Sequence, residues 1–233
     1  MWITPISSGS KGNAYIVSDG QTSLLLDCGV PIEQIQKAFN YKVSYLAGCL
    51  VTHCHKDHCK AAKDVLSKGI DLYTSEGTIG AMGLISHRLR PVKSLANINI
   101  GTFTVTPFDT QHDVPEPLGF FLVSQITGER LLYFTDTYYL KYRFSGITHL
   151  MAECNYDLES IRRSIAAGYI TESLAKRIIK SHMSLEHLIE MIKANDMKDL
   201  KQVYLLHLSD NNSDEKLYKD TIQRITGAEV YVC

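Results

Sequence analysis

The sequence predicts an α+β protein in which β-sheets pack face to face and helices cover them. Two observations support this: many short runs rich in β-branched or aromatic residues end at Gly, Asp, Asn or Pro, and helical patterns lie between them. Several of the runs are separated only by tight turns. The predicted strands are 14–18, 22–27, 48–52, 70–74, 103–108, 119–124, 130–136, 148–153, 202–208 and 228–233.

Four stretches between these strands have helical character. Residues 31–39 begin with a proline, which suits the first position of a helix, and residues 58–69 end with a glycine, which suits a C-terminal cap. The stretch 158–195 is mostly helical. Residues 213–227 begin with Ser213, the expected N-cap, and end with another glycine.

Composition and charge narrow the function classes. The 45% hydrophobic and 21% charged residues are ordinary for a globular protein. A net charge of -1 gives no overall basic field for nucleic acid, although a local basic surface would suffice. Since there is no repeat, low-complexity tract or obvious linker, we expect a single domain over residues 1–233. Apolar runs fall short of the roughly 18 residues that span a bilayer, and the N-terminus does not resemble a signal peptide, so we expect a cytoplasmic protein.

The cysteines suggest reduced thiols rather than disulfides, since no export signal or dense cysteine framework is present. Cys54 and Cys59 flank a group of histidines, so a structural zinc site is an alternative, although paired C-x-x-C spacings are missing. The six cysteines are Cys28, Cys49, Cys54, Cys59, Cys154 and Cys233.

The stretch "VTHCHKDHC" (51–59) concentrates three histidines and an aspartate in six positions. Because residues two apart on an extended segment point the same way, His53 and His55 can face one metal ion. Asp57 and His58 begin the next helix and can turn toward a second ion. Imidazole and carboxylate ligands suit zinc, manganese or iron. Two such ions about 3.5–4 Å apart can polarise an ester and generate hydroxide from water at neutral pH.

Two metal ions need more ligands than one segment supplies, and suitable residues occur where other predicted strands end. Asp27, Asp136 and His207 each lie at a strand end, and His112 lies in the loop after strand 103–108. Strand ends and the loops beyond them are common positions for functional residues.

These residues resemble the pattern of the metallo-β-lactamase fold superfamily. Its H-x-H-x-D-H signature is present as "HCHKDH" (53–58), and further matches are "DTQHDVPEPLG", "LLYFTDT" and "VYLLHLSDNN". The resemblance implies a four-layered αββα sandwich with metals at one edge. It assigns His53, His55 and His112 to one metal, Asp57, His58 and His207 to the other, and Asp136 as the bridge.

Within the superfamily the sequence is most similar to the YycJ- and WalJ-like branch of DNA-processing exonucleases. The matching elements are "SSGSKGNAYIV", "LLLDCG", "AECNYD" (152–157), "KSHMS" (180–184) and "HLSDNN". Two features differ. Tyr138 and Tyr139 follow "TDT" where the branch has a glycine, and the chain is somewhat short, so that any accessory substrate-binding element is reduced.

The resemblance implies a phosphodiesterase that uses two divalent transition metal ions, zinc or manganese with iron as an option. We expect a nuclease, an exonuclease acting on DNA, in which a metal-bound hydroxide attacks phosphorus. The predicted catalytic residues are Asp57 and Asp136, which hold the metals and orient the hydroxide, and His182. The alternative is a hydrolase of a small ester, thioester or lactam. A redox di-iron protein is disfavoured because such proteins usually carry Glu where His55 stands.

His182 lies outside this ligand set. It follows a basic helix and precedes Ser184, a suitable N-cap for the next helix. We predict that His182 contacts the scissile phosphate or protonates the leaving oxygen. The alternative is a histidine bonded to a helix end.

Other polar residues are expected to support the site. Asp27 should accept a proton from a ligand imidazole and fix its tautomer, while Ser8, Ser10 and Asn13 should brace the site from below. The basic residues of two clusters either grip a phosphate backbone or form solvated faces. The residues considered as substrate contacts are Arg88, Arg90, Arg162 and Arg163.

Overall fold

The structure is a computed structural model that describes residues 1–209 and 212–233. It divides into two compact units. Unit 1 comprises residues 1–109 and 114–129, and unit 2 comprises residues 110–113 and 130–233. The single domain expected from the sequence stays a prediction. Asp210 and Asn211, in the "HLSDNN" element, lie outside the described residues.

Unit 1 combines two sets of strands with four α-helices and one short 3-10 helix, Val43–Tyr45, in its described residues. Its strands are β1 (Trp2–Ser7), β2 (Ala14–Ser18), β3 (Ser23–Leu26), β4 (Leu46–Leu50), β5 (Leu72–Thr74), β6 (Leu89–Pro91), β7 (Ile98–Ile100), β8 (Phe103–Asp109) and β9 (Leu118–Ser124). Its helices are α1 (Ile32–Ala38), α2 (Lys56–Cys59), α3 (Ala62–Ser67) and α4 (Glu76–Met82).

The strands β1 to β6 form one sheet in chain order. Strands β1, β2 and β3 are antiparallel neighbours, whereas β3 to β6 run parallel. Strands β7, β8 and β9 are paired antiparallel. The parallel arrangement brings the carboxyl ends of β3 and β4 to the same edge, and the chain leaves each of them there into a polar segment. A core that includes Leu25, Ile35, Val51, Val65 and Leu72 holds α1 and α3 on this sheet.

Unit 2 contains parallel strands followed by helices. The strands, paired in the order given, are β10 (Arg130–Phe134), β11 (His149–Glu153), β12 (Gln202–Leu206) and β13 (Glu229–Val232). The helices are α5 (Leu158–Ala166), α6 (Glu172–Ser181), α7 (Leu185–Ala194) and α8 (Glu215–Thr226). Each helix begins at a side chain that accepts a hydrogen bond from a backbone amide of the first turn. These N-caps are Asp157, Thr171, Ser184 and Asp214.

Several details differ from the sequence expectations. The N-cap of α8 is Asp214 and not Ser213, because the Asp214 carboxylate accepts the Leu217 amide. The helix expected over 58–69 is two short helices, α2 and α3, because the Ala61 amide bonds to the Cys28 carbonyl instead of continuing the first helix. Strands β1, β6 and β7 were not expected. Within the described residues, no helix has the length and apolar character to cross a membrane.

Candidate metal centre

The first cluster of ligand-type residues lies in unit 1, just beyond the carboxyl end of β4. His53 follows that strand by three positions, His55 is the N-cap of α2, and Asp57 and His58 lie within α2. The Nε2 atom of His53 lies 3.2 Å from Nδ1 of His55. The rings of His53 and His58 are 4.2 Å apart between centroids. The predicted convergence of His53 and His55 is therefore present in this unit.

Asp27 positions the imidazole of His58. Its carboxylate Oδ2 lies 2.8 Å from His58 Nδ1, and both side chains are fully buried. The same carboxylate accepts the backbone amide and the hydroxyl of Thr52. A carboxylate that bonds one imidazole nitrogen orients the ring so that the other nitrogen is available as a ligand. Asp27 therefore makes the kind of contact that was expected from the sequence.

Asn13 connects the N-terminal segment to the same cluster. Its buried amide nitrogen lies 3.1 Å from His58 Nε2 and 3.3 Å from the Asp57 carbonyl, and its backbone amide donates to that carbonyl at 2.7 Å. Its amide oxygen accepts from the Tyr15 hydroxyl, which also bonds to Ser8 Oγ. Ser8 and Asn13 thus belong to one network under the cluster. For Ser10, by contrast, the structure gives no side-chain contact to the cluster.

Gly29 allows the turn after β3 to pass close to α2. A Cβ atom at this position would lie only 1.6 Å from the Asp57 carbonyl oxygen. The Gly29 amide donates to the Asn13 carbonyl, and the adjacent Cys28 amide donates to the His58 carbonyl. The absence of a side chain at Gly29 therefore lets three backbone segments meet.

The second cluster lies in unit 2, where β10, β11 and β12 end. Its four potential ligand atoms lie within 4.8 Å of one another and belong to Asp136, Glu153, His182 and His207. Asp136 and His207 follow their strands with left-handed backbones, at φ 46° and 55°. Such conformations are uncommon for residues other than glycine and concentrate at functional sites. Asp27 of unit 1 shares this feature, with φ 54°.

Glu153 is the organising residue of this cluster, and the site residues named from the sequence did not include it. Its fully buried carboxylate accepts the backbone amides of Thr137 and Met183 and lies 2.6 Å from His182 Nδ1. Burial raises the pKa of Glu153, but the charge and hydrogen bond of His182 outweigh burial and lower that pKa overall. Its signal in the sequence was the second position of the "AECNYD" element.

The backbone and the ring of His182 make separate contacts. Its backbone amide closes the last turn of α6 on the Ile178 carbonyl. Its ring contacts Glu153 and stacks on His207 at 5.4 Å between centroids. Burial lowers the pKa of His182, but the neighbouring Glu153 carboxylate raises it by more. The imidazole is therefore bonded to a buried carboxylate and not to a helix end.

His112 and Asn155 lie beside this cluster. The Nε2 atom of His112 is 3.8 Å from the Asp136 carboxylate, and its Nδ1 atom is 3.3 Å from the Ser181 carbonyl. The side-chain nitrogen of Asn155 contacts both the ring and the carbonyl of His207. Unit 2 thus brings together His112, Asp136 and His207, the predicted ligands from this part of the chain.

The basic residues selected from the sequence have different surroundings. Arg88 and Arg90 both bind the Asp71 carboxylate, at 3.0 and 2.9 Å. Arg163 donates to the Ser160 hydroxyl. Arg162 is highly exposed, and its guanidinium lies 4.0 Å from the Glu159 carboxylate, at the limit of an ion pair. A role for these arginines in binding substrate stays a prediction.

Thiols are poorly placed to supply metal ligands. Burial raises the pKa of Cys59 to about 12, so that this thiol stays protonated at neutral pH. Its Sγ atom donates to the Cys54 carbonyl. In residues 1–209 and 212–233, no group of three or more potential metal ligands contains a cysteine. The structural zinc alternative therefore gains no support.

The donor atoms of both clusters are of the types that hold divalent metal ions. In unit 1, imidazole nitrogens converge and one of the rings is oriented by a buried carboxylate. In unit 2, carboxylate and imidazole atoms gather within a radius suited to coordination. Nitrogen and oxygen donors of this kind suit zinc, manganese or iron more than magnesium or calcium.

Comparison with known proteins identifies the family. The model of the beta-lactamase superfamily domain matches residues 22–208, which is most of the chain. The chain belongs to the β-lactamase superfamily. The matched region contains both clusters, and the predicted fold class, the α+β metallo-β-lactamase fold, is confirmed. The prediction of a metal-dependent hydrolase is also confirmed for this superfamily member.

Relatives within the superfamily agree with the expected branch. Exodeoxyribonuclease YycJ of Bacillus anthracis is 29% identical, and the alignment covers 94% of this chain and 87% of the relative. Exodeoxyribonuclease WalJ of Streptococcus pneumoniae is 27% identical, with 97% and 89% covered. The fold also matches the crystal structure of the metallo-β-lactamase fold protein YhfI from Bacillus subtilis, at a TM-score of 0.76, 18% identity, and 99% and 95% coverage.

Proposed function

We propose that this superfamily member is an exonuclease that hydrolyses phosphodiester bonds in DNA with two divalent transition metal ions. The observation that carries the proposal is the donor chemistry of the two clusters, imidazoles and carboxylates held by buried polar networks. The near-full-length similarity to two exodeoxyribonucleases favours DNA over a small ester, thioester or lactam.

The ligand set that we propose is the one predicted from the sequence. His53, His55 and His112 would hold one ion, Asp57, His58 and His207 the other, and Asp136 both. When bound, two such ions supply a nucleophile from water at neutral pH and stabilise charge on the phosphoryl oxygens. We expect zinc or manganese, because both accept imidazole and carboxylate ligands. Metal availability decides between the two.

The remaining residues have supporting roles in this proposal. The Asp27 carboxylate holds the His58 ring through Nδ1, at 2.8 Å. Glu153 holds the His182 ring through Nδ1, which leaves Nε2 as the atom that can face substrate. We propose that His182 contacts the scissile phosphate or gives a proton to the leaving oxygen.

A metal-by-substrate panel tests the proposal. The purified full-length protein is loaded with zinc, manganese or magnesium and given labelled single-stranded DNA, double-stranded DNA, RNA and a small phosphodiester. We expect up to two transition metal ions per chain by elemental analysis and stepwise shortening of DNA from an end. Asp57→Ala and His207→Ala should each lose about one ion per chain and abolish hydrolysis.

The controls distinguish the competing functions. Lys219→Ala, on the exposed surface of α8, should retain full metal content and activity. Full activity after complete removal of metal would contradict the proposal. Failure to cleave DNA with any metal, together with hydrolysis of a small ester or lactam, would replace the nuclease with the alternative.

A further inference from the structure

A cavity of about 210 Å³ in unit 2 lies outside the proposed metal ligands. One wall is the segment 138–144, here named the tyrosine loop, which directly follows the "TDT" element. The opposite wall is one face of α7 and the residue before its N-cap. Cavities that take drug-sized ligands are roughly 300–1,000 Å³, so this smaller volume fits a single ring system. The residues used below are Tyr139, Lys141, Tyr142, Arg143, Met183 and Glu190.

Both walls of the cavity are attached to the second cluster through Glu153. The Thr137 amide, just before the tyrosine loop, and the Met183 amide, in the opposite wall, donate to the same carboxylate oxygen at 2.9 and 3.1 Å. The Thr137 hydroxyl also donates to the Tyr139 carbonyl at 2.8 Å. The cavity therefore begins within a few residues of Asp136 and His182 along both walls.

The tyrosine loop has the chemistry of a nucleotide site. Its sequence, "YYLKYRF", alternates aromatic and basic residues and contains no acidic residue. The Lys141 ammonium lies over the Tyr142 ring, 5.0 Å from its centroid, and Tyr139 is 55% exposed. Aromatic rings on which bases stack, combined with cationic groups that follow the backbone, are the usual means of binding single-stranded nucleic acid.

The loop is held in place although it has no regular secondary structure. The Arg143 guanidinium donates to the Ala194 carbonyl, and the Phe144 amide donates to the Asn195 side chain at 2.6 Å. Asn195 in turn donates to the Met191 carbonyl, at the end of α7. Leu140, within the loop, is buried. A wall that is fixed in this way costs little entropy to order when a ligand binds.

We propose that this cavity binds an unpaired nucleotide of the nucleic-acid substrate, with its base against Tyr139 and Tyr142 and its phosphate at Lys141 and Arg143. Glu190, on the α7 wall, is an acceptor for an exocyclic amino group of the base. This inference rests on the proposed function, because it names how the substrate of the same site is held. It also predicts that a single-stranded end binds better than a blunt duplex.

The test is fluorescence anisotropy of a short end-labelled single-stranded DNA with phosphorothioate linkages, which resist hydrolysis, on the full-length metal-loaded protein. We expect the Tyr139→Leu/Tyr142→Leu double variant to bind roughly tenfold more weakly, the scale of one lost stacking contact. The corresponding double Phe variant should bind like the natural protein because the rings remain. Tyr45→Leu, at another highly exposed tyrosine, is the matched control and should not change affinity.

Hydrolysis separates this inference from the proposed function. The double Leu variant should retain the kcat of the natural protein on methyl p-nitrophenyl phosphate, which carries no base, while its KM for single-stranded DNA rises roughly tenfold. If the natural protein hydrolyses DNA but the double Leu variant binds it equally well, the cavity inference is overturned and the function stands. If the natural protein hydrolyses no phosphodiester but loses oligonucleotide binding in the double Leu variant, the proposed hydrolysis fails, and the cavity stands as a nucleotide-binding site only.

Discussion

The two clusters of ligand-type residues are built in different ways. In unit 1, the ligands come from one stretch of six residues, and a turn and an asparagine support them through backbone contacts. In unit 2, they come from separate strand ends and loops, and one buried glutamate connects them. Besides the Asp27–His58 contact, the contiguous cluster depends on close backbone packing, whereas the dispersed one depends on a single hydrogen-bonded side chain. Loss of the backbone packing in unit 1 should therefore appear as lost folding, and loss of the glutamate in unit 2 as lost function.

The largest expected effect is on folding, from Gly29→Ala in unit 1. The new Cβ would lie 1.6 Å from the Asp57 carbonyl oxygen, a backbone atom that cannot move without displacing α2. We expect a loss of about 4–5 kcal/mol or more in the free energy of unfolding, measured by urea denaturation. The matched control is Gly80→Ala in α4, where a Cβ would meet open space and should stabilise the helix by up to about 1 kcal/mol. Equal stabilities of the two variants would contradict the packing argument.

The same difference explains what could be predicted from the sequence. The unit 1 ligands have a spacing that indicates their chemistry directly, because alternate residues of an extended segment share a side. In unit 2, each of His112, Asp136 and His207 has an ordinary explanation when taken alone, and only the resemblance to the superfamily selected them. Glu153 was missed as a site residue because, apart from the "AECNYD" resemblance, a glutamate at the end of a buried strand does not differ locally from a turn residue.

The fold shows the same limit. Runs with a buried apolar face, such as β2, β8 and β9, were placed to within about a residue. Strand β1 was missed because it contains a proline and has no buried residue. Strands β6 and β7 were missed because each has only three residues with little burial, unlike the equally short β5. The expected strands 48–52 and 202–208 end two residues early, at Leu50 and Leu206. The apolar content of a segment predicts whether the segment is buried, but it does not predict where the backbone leaves the sheet. At His207, the backbone leaves it with φ 55°.

The next largest effect is expected from His182→Ala in unit 2. If His182 acts on the phosphate or on the leaving oxygen, turnover should fall by around a hundredfold, as for a lost acid or base. Metal content and stability should change little because His182 is outside the proposed ligand set. Metal content is measured by elemental analysis, stability by thermal unfolding, and turnover by DNA hydrolysis. Unchanged turnover would make the residue structural, and lost metal would show that the ligand set is wrong.

Glu153→Gln should have a somewhat smaller effect of a different kind. The neutral amide keeps the shape of the side chain, but it must bond the Thr137 and Met183 amides and the His182 ring with one acceptor oxygen fewer. We expect a loss of about 10–100-fold in metal affinity or activity, the range for residues that orient ligands. Asp71→Asn, a carboxylate bound by two arginines in unit 1, is the control and should leave metal affinity unchanged. Equal losses of metal affinity and activity in Glu153→Gln and Asp71→Asn would indicate general destabilisation and not a positioning role of Glu153.

The smallest effects concern the basic residues, and they compare the two units again. Arg88 and Arg90 both bind the Asp71 carboxylate. Burial raises the pKa of Asp71, but the two arginines lower it below its usual value overall. Arg88 and Arg90 therefore offer less free positive charge to a phosphate. The Arg162 side chain is 76% exposed, and its distance to the Glu159 carboxylate is at the limit of an ion pair.

The salt dependence of DNA binding measures these contacts. Each lost phosphate contact should reduce the magnitude of the slope of log binding constant against log salt by about 0.7 for single-stranded DNA. We therefore expect Arg162→Ala/Arg163→Ala to reduce it by about 0.7–1.4 and Arg88→Ala/Arg90→Ala by less. Lys219→Ala/Arg224→Ala on α8 removes the same charge and should leave the slope unchanged, so equal slopes for all three double variants would make these arginines solvated surface.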